Sequence, residues 1–141
     1  MTLKLLAGFM ILVIALALQF WFASGGWYLD LSFAALITFA FIFDIWQFII
    51  LILVAVFIIN WQPAVSGEIL VFSLYPVAVH YLKYIVRWEV WVENLAAILI
   101  GSVLMYFVAG HGTIHAPAFF IDAFSGMLFG TAVLLPLYRW Q

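Results

Sequence analysis

Apolar residues form long runs over almost the whole chain, and short polar breaks divide these runs into segments of helix length. The breaks fall at 24–26, 60–68, 87–94 and 110–113. About 20 consecutive apolar residues suffice for a helix that crosses the hydrocarbon core of a bilayer. The pattern therefore predicts an all-α integral membrane protein, built as a single membrane domain in which short transmembrane helices form a compact bundle.

The run 29–59 decides how many helices the bundle has. As one helix it would be about 46 Å long, against a hydrocarbon core of about 30 Å. Asp44 and Gln47 have the spacing of a capping box, and Phe43 and Phe48 stand at the positions of a hydrophobic staple. These residues predict that a helix starts at Asp44, so that the run forms two helices, each rather short.

The placement of positive charge favours the same division, because Lys and Arg in short loops collect on the cytoplasmic side of a membrane. With two helices in the run 29–59 the chain has six spans, and all four Lys and Arg residues face the cytoplasm. With one helix it has five spans, and Lys4 lies opposite the other three. Both termini are predicted to be cytoplasmic, and five spans remain the alternative. The six predicted spans are 5–23, 29–43, 45–60, 68–87, 94–110 and 117–138.

Composition restricts the class of protein and its partners. Of the 141 residues 70% are hydrophobic and 7% are charged, with a mean hydropathy of +1.32, more than a soluble domain of this size can bury. The few cations form no basic patch for nucleic acid. Without cysteine, a phosphate-binding loop or a nucleophile elbow, the sequence predicts no enzyme activity and no cofactor. The predicted partners are the lipid bilayer and other membrane proteins, or a second copy, bound through helix faces.

Two polar side chains are predicted to cap helix N-termini. Ser66 precedes the span 68–87, and Asn94 precedes the next apolar run. Pro76 lies inside the fourth span, whereas Pro117 is placed in the first turn of the last one, where proline is well tolerated.

Asp122 is the clearest candidate for a functional polar residue inside a span. It shares one helix face with Gly126 and Gly130, and these two glycines have the small-xxx-small spacing that lets another backbone approach closely. A functional interpretation makes this face a contact for a partner or an ion. A structural interpretation makes Asp122 an acid that is hydrogen-bonded to a neighbouring helix.

His80 is the second candidate. Ser73, His80 and Arg87 recur at seven-residue spacing, which predicts a polar face along the fourth span. Such a face suits a proton or substrate path, whereas a histidine bonded to a neighbouring helix has a structural role. Asp44 lies on the same predicted inner side and can pair with Lys83 or Arg87, in support of topology and stability.

His111 and His115 are four residues apart, a spacing that suits a metal site on a helix. Gly112 between them disfavours a helix. We therefore expect solvated loop residues there and predict no metal site.

Several segments together resemble one known family. The first span ends in Leu18-Gln19, a turn leads to Leu29-Asp30-Leu31, and the last span ends at Arg139. The run Asp122-Ala123-Phe124-Ser125-Gly126 is similar to an Asp-Leu-x-Ser-Gly element. In these features the chain resembles the MreD family of bacterial rod-shape-determining membrane proteins. That family has the element in a middle helix, so no role is transferred to it here.

The resemblance implies a non-catalytic inner-membrane subunit that binds partner membrane proteins of the cell-wall elongation machinery. The residues also leave an alternative, a small membrane transporter or substrate-binding membrane subunit with a polar site near His80 and Asp122. A cavity lined by these side chains would favour transport, and a filled bundle core would count against it.

Overall fold

The computed structural model describes residues 2–27, 29–59, 66–109 and 116–139. Within these ranges the chain forms six α-helices and no strand. The predicted number of helices is therefore confirmed, and their crossing of a membrane stays a prediction. The helices are α1 (Thr2–Ser24), α2 (Leu31–Ile42), α3 (Ile45–Ile59), α4 (Gly67–Leu82), α5 (Val90–Val108) and α6 (Ala116–Tyr138).

The helices fall into two length classes. By length and composition three segments can cross a membrane: Leu3–Ser24 in α1, Val90–Val108 in α5 and Pro117–Tyr138 in α6. The apolar helices α2, α3 and α4 have only 12, 15 and 16 residues. At 1.5 Å per residue they are about 18 to 24 Å long, which is shorter than a hydrocarbon core of about 30 Å.

The helix α2 forms the centre of the bundle. All 12 of its residues are buried, and it packs against each of the other five helices. A helix that is apolar around its whole circumference is stable when its entire surface is covered, and here the cover is protein. Its polar residue Thr38 is satisfied within the helix, since Thr38 Oγ1 donates to Ala34 O at 2.9 Å. Because protein encloses α2, its short length does not have to match a bilayer.

The apolar run 29–59 is divided between α2 and α3. After α2 the backbone of Phe43 is extended, with φ −98° and ψ 152°, and α3 begins directly after Asp44. The buried Phe43 ring stands edge-on to Phe39, with ring centroids 5.3 Å apart. A Cβ on Gly8 of α1 would lie 2.6 Å from Phe43 Cζ. The start of α1 therefore packs over this bend because residue 8 has no side chain.

Of the two predicted helix caps, one is present and the other is corrected. Ser66 caps α4, and its Oγ accepts a hydrogen bond from the Ile69 N–H at 3.3 Å. Asn94 does not cap α5, because that helix already begins at Val90, with Glu89 as its N-cap residue. Asn94 instead lies inside the helix and is fully buried.

The polar face predicted along the fourth span is interrupted. The helix α4 ends at Leu82, and the following residues turn, so that Ser73 and His80 lie on the helix and Arg87 lies beyond it. The seven-residue spacing therefore does not translate into one continuous polar stripe.

Candidate functional site

Several polar side chains inside the bundle lie at the two ends of α2, where the helix backbone leaves groups without intrahelical partners. The first N–H groups and the last C=O groups of any helix lack such partners. Water cannot satisfy them where protein surrounds the helix, so other side chains have to do so.

The N-terminal cap cluster consists of Gln19, Asp30, Ser32 and Asp122. Asp122 Oδ1, on α6, accepts a hydrogen bond from the Asp30 backbone N–H at 2.8 Å, and the Asp122 side chain is only 4% exposed. Gln19 Oε1, on α1, accepts from the Ser32 N–H at 3.2 Å and from Ser32 Oγ at 2.6 Å. The cluster thereby joins α1, α2 and α6. It also places a carboxyl group at the positive end of the α2 dipole, the favourable polarity.

The Asp30 carboxyl group lies where ionisation is unfavourable. Asp30 is in the turn between α1 and α2, outside both helices, and its side chain makes no cap hydrogen bond to α2. Burial raises the pKa of Asp30, and the negative charge of Glu68 raises it further. Folding therefore disfavours the ionised form of Asp30 relative to the unfolded chain.

The C-terminal cap cluster consists of Ala40, His80 and Lys83. The helical partner of the Ala40 carbonyl would be the N–H of Asp44, which lies beyond the end of α2. Instead, His80 Nδ1 lies 2.9 Å from Ala40 O, and Lys83 Nζ donates to the same oxygen at 2.7 Å. Because a carbonyl oxygen only accepts, Nδ1 of His80 carries the proton. The imidazole ring also stacks on Phe48 of α3, with ring centroids 5.5 Å apart.

The two clusters are separated along α2, so His80 and Asp122 do not form one site. From Asp30 to Ala40 the backbone rises about 15 Å. The Ser73 hydroxyl donates within its own helix, to Ile69 O at 2.8 Å. These hydrogen bonds support the structural interpretation of both His80 and Asp122. His80 bonds the backbone of α2 at Ala40, and Asp122 bonds the backbone of Asp30, the N-cap residue of α2.

The glycine face of α6 is turned into the bundle. A Cβ on Gly126 would lie 3.3 Å from Ala34 Cβ, and one on Gly130 would lie 2.8 Å from Thr38 Oγ1. The small-xxx-small pattern therefore brings α6 close to α2 of the same chain. This corrects the expectation that Gly126 and Gly130 contact a partner.

Asp44 is exposed in the turn between α2 and α3. Its charge acts electrostatically on Lys83. Asp44 thus lies near the cation of the C-terminal cap cluster, and its pairing with Lys83 or Arg87 stays a prediction.

Sequence reasoning missed three side chains inside the bundle. Gln19 and Ser32 are cap partners, and the only signal for Gln19 was a polar residue at the end of an apolar span. Asn94 lies against α6, with its Nδ2 3.4 Å from the position of a Cβ on Gly130. Within the described parts of the chain, neither Nδ2 nor Oδ1 of Asn94 has a hydrogen-bond partner.

The predicted loop residues His111 and His115 lie outside the described residues. Across 2–27, 29–59, 66–109 and 116–139, no group of three His, Cys, Asp or Glu side chains is placed to hold a metal ion.

The fold and its hydrogen bonds define an all-helical bundle around an enclosed central helix, with three helices long and apolar enough to cross a membrane. Comparison of the chain with models of protein families, with curated proteins and with solved structures gives no match.

Proposed function

We propose that the chain is a six-span, non-catalytic membrane subunit that binds other membrane proteins through the face formed by α3 and α4. The observation that carries this proposal is the length of these two helices. They have 15 and 16 residues, about 22 and 24 Å, and each leaves one side exposed. A helix this short is mismatched to the hydrocarbon core, so the bilayer thins around it or another protein covers it.

The outer side of α3 and α4 offers large apolar side chains for such a contact. Trp46, Ile50 and Leu53 are exposed and follow one another at helical spacing along α3. Leu70 and Leu74 do the same on α4. Exposed apolar side chains at this spacing suit packing against the helices of a partner.

The distribution of positive charge supports the six-span arrangement. All four Lys and Arg residues belong to segments near the C-terminal end of α2: Lys4, Lys83, Arg87 and Arg139. The start of α1 lies there because Gly8 contacts Phe43, and the end of α6 lies there because Tyr138 lines a cavity together with Arg87. Cations gathered at one end favour that end as the cytoplasmic side, with both termini on it.

The N-terminal cap cluster supports the resemblance to the MreD family. Gln19 and Asp30 belong to two segments that carry the resemblance, and both lie at the start of α2, where Gln19 bonds Ser32 and the Asp30 N–H bonds Asp122. The shared features therefore act together in holding α1, α2 and α6. This favours a subunit of the cell-wall elongation machinery. The transporter alternative assumes a polar site near His80 and Asp122, and their separation along α2 makes it the less favoured of the two proposals.

Single cysteines test the topology, because the chain has none of its own. Ser24→Cys and Asp44→Cys place exposed thiols beyond opposite ends of α2. We expect a membrane-impermeant maleimide to label them from opposite sides of the membrane. Labelling of both from the same side would contradict the six-span arrangement.

A photo-crosslinking amino acid tests the partner face. We expect benzoylphenylalanine at Leu53 of α3 to give a covalent adduct with another membrane protein when intact cells are irradiated. Leu128 of the longer helix α6 is similarly exposed, at 57% against 63% for Leu53, and serves as the matched control that gives lipid adducts only. Lipid adducts alone at both positions, or equal protein adducts at both, would overturn the assignment of this face.

A further inference from the structure

A cavity of about 340 Å³ opens at the end of the bundle that holds the C-terminal cap cluster. It lies between the end of α2, the turn that follows α4, the start of α5 and the end of α6. Its volume is at the lower end of the range for small-molecule sites, about 300 to 1,000 Å³, which suits a compact polar group.

Two cations of different chemistry line this cavity, Lys83 and Arg87. Lys83 is partly buried, and its ammonium group is held in place by the bond to Ala40 O. An ammonium group has three protons, so two remain for a ligand. Arg87 is exposed, and its planar guanidinium group matches the paired oxygens of a phosphate.

One acid, Glu93, also lines the cavity, and it is already engaged. Glu93 Oε1 accepts a hydrogen bond from the Trp88 backbone N–H at 2.8 Å. The lining therefore carries two positive charges against one negative charge, and the negative charge is held by the turn between α4 and α5. Asp44, outside the lining, also acts electrostatically on Lys83. Within the lining itself the balance is positive, which favours an anionic ligand.

The rim of the cavity is aromatic and exposed, and it includes Tyr84, Trp88 and Tyr138. Tyrosine and tryptophan concentrate at the level of lipid headgroups, where one end of the side chain is apolar and the other is wet. Ile85, in the same turn, is 75% exposed. The cavity lining thus combines two cations with an exposed, largely apolar border suited to acyl chains.

We propose that this cavity binds the phosphate headgroup of an anionic phospholipid, with Lys83 and Arg87 contacting the phosphate oxygens. Basic pockets between transmembrane helices on the cytoplasmic side recognise such headgroups. The proposal rests on the membrane placement of the proposed function and is independent of binding a protein partner.

Native mass spectrometry of the full chain in mild detergent tests the site, with phosphatidylglycerol as the anionic probe and phosphatidylcholine as the zwitterionic one. We expect retention of phosphatidylglycerol, with an affinity about tenfold lower in Arg87→Gln, since one charged hydrogen-bonding group is lost. Lys4→Gln removes the same charge at the same end, outside the cavity lining, and we expect less than about a twofold change. Equal retention of both lipids, or equal loss in both variants, would overturn the proposal.

Soluble phosphate compounds distinguish the source of the ligand. We expect neither inorganic phosphate nor glycerol phosphate to displace bound phosphatidylglycerol, because neither supplies acyl chains to the apolar border. Displacement by either at concentrations comparable to that of the lipid would overturn the lipid assignment and indicate a soluble phosphorylated ligand. A missing protein adduct at Leu53 would contradict the partner face and leave the lipid result intact, so the two proposals fail separately.

Discussion

At the N-terminal end of α2 each bonded backbone N–H group has its own acceptor, whereas at the C-terminal end two donors share one carbonyl oxygen. The acceptors, Asp122 and Gln19, come from two different helices. The donors, His80 and Lys83, come from the end of α4 and the residue that follows it. At the N-terminal end, α1, α2 and α6 are joined by hydrogen bonds of which none has a substitute. At the C-terminal end, the Ala40 carbonyl has two donors, so either one can bond it when the other is lost.

The two ends of α2 also differ in charge. Negative groups lie at its N-terminal end and a positive group at its C-terminal end, which is the distribution that the helix dipole favours. The N-terminal end has Asp122 and, near Asp30, the charge of Glu68, whereas the C-terminal end has Lys83. Acids near the start of a helix and cations near its end are each worth up to about 1 kcal/mol.

The largest effect is expected where both donors of the shared carbonyl are removed. His80→Phe keeps the ring stack on Phe48 and leaves Lys83 as a donor, and Lys83→Met leaves His80, so each change should cost about 1 kcal/mol of unfolding free energy. The double variant leaves the Ala40 carbonyl buried without a partner and should cost about 3 kcal/mol. Unfolding in mixed detergent micelles measures these values. A double variant that costs only the sum of the two single variants would contradict shared capping.

The next largest effect is expected at the N-terminal end, where no second acceptor replaces Asp122. Asp122→Leu leaves the Asp30 N–H without a partner and should lower the unfolding free energy by about 2 kcal/mol. Asp122→Asn keeps an acceptor oxygen and is the matched control, with a loss of less than about 1 kcal/mol. Equal losses in the two variants would show that the charge matters and the hydrogen bond does not.

Between the two capped ends of α2 lies a polar side chain that is buried without a bond. Within the described residues, the Asn94 amide group has no hydrogen-bond partner. Asn94→Leu has the same branching without the polar atoms, and we expect it to raise the unfolding free energy by about 1 kcal/mol. Thr38→Val is the control, since the Thr38 hydroxyl beside the same glycine is already bonded. A loss of stability in Asn94→Leu would indicate that the amide has a partner in the membrane.

The smallest effect is expected from Asp30, and it depends on pH. An acid whose pKa rises on folding contributes stability below the pKa of the unfolded chain and loses it as the pH rises through the folded-state pKa. Asp30→Asn should therefore be more stable than the natural chain at about pH 7.5, and the difference should vanish near about pH 3, below the Asp pKa of the unfolded chain. Unfolding measured at both pH values checks this, and a difference that is constant with pH would contradict the raised pKa.

The features that the sequence alone determined are those that depend only on residues close together in the chain. The length of each apolar run set the class of protein, and the capping pattern around Asp44 predicted the break in the run 29–59 that separates α2 from α3. Ser66 could be recognised as a cap because the N–H that it bonds is three residues away. Nearby residues largely set where a helix begins, so local sequence predicted the starts of α3 and α4, although it placed the start of α5 at Asn94 where the helix already begins at Val90.

Only the tertiary structure decided which groups meet. Asp122 bonds a residue 92 positions away, and His80 bonds one 40 positions away. Periodicity placed Asp122, Gly126 and Gly130 on one face of α6, but it does not show whether that face meets a partner or another helix of the same chain. The answer depends on how five helices pack around α2. That packing follows from the burial of all 12 residues of α2 and the satisfaction of its two ends, conditions set by the whole chain.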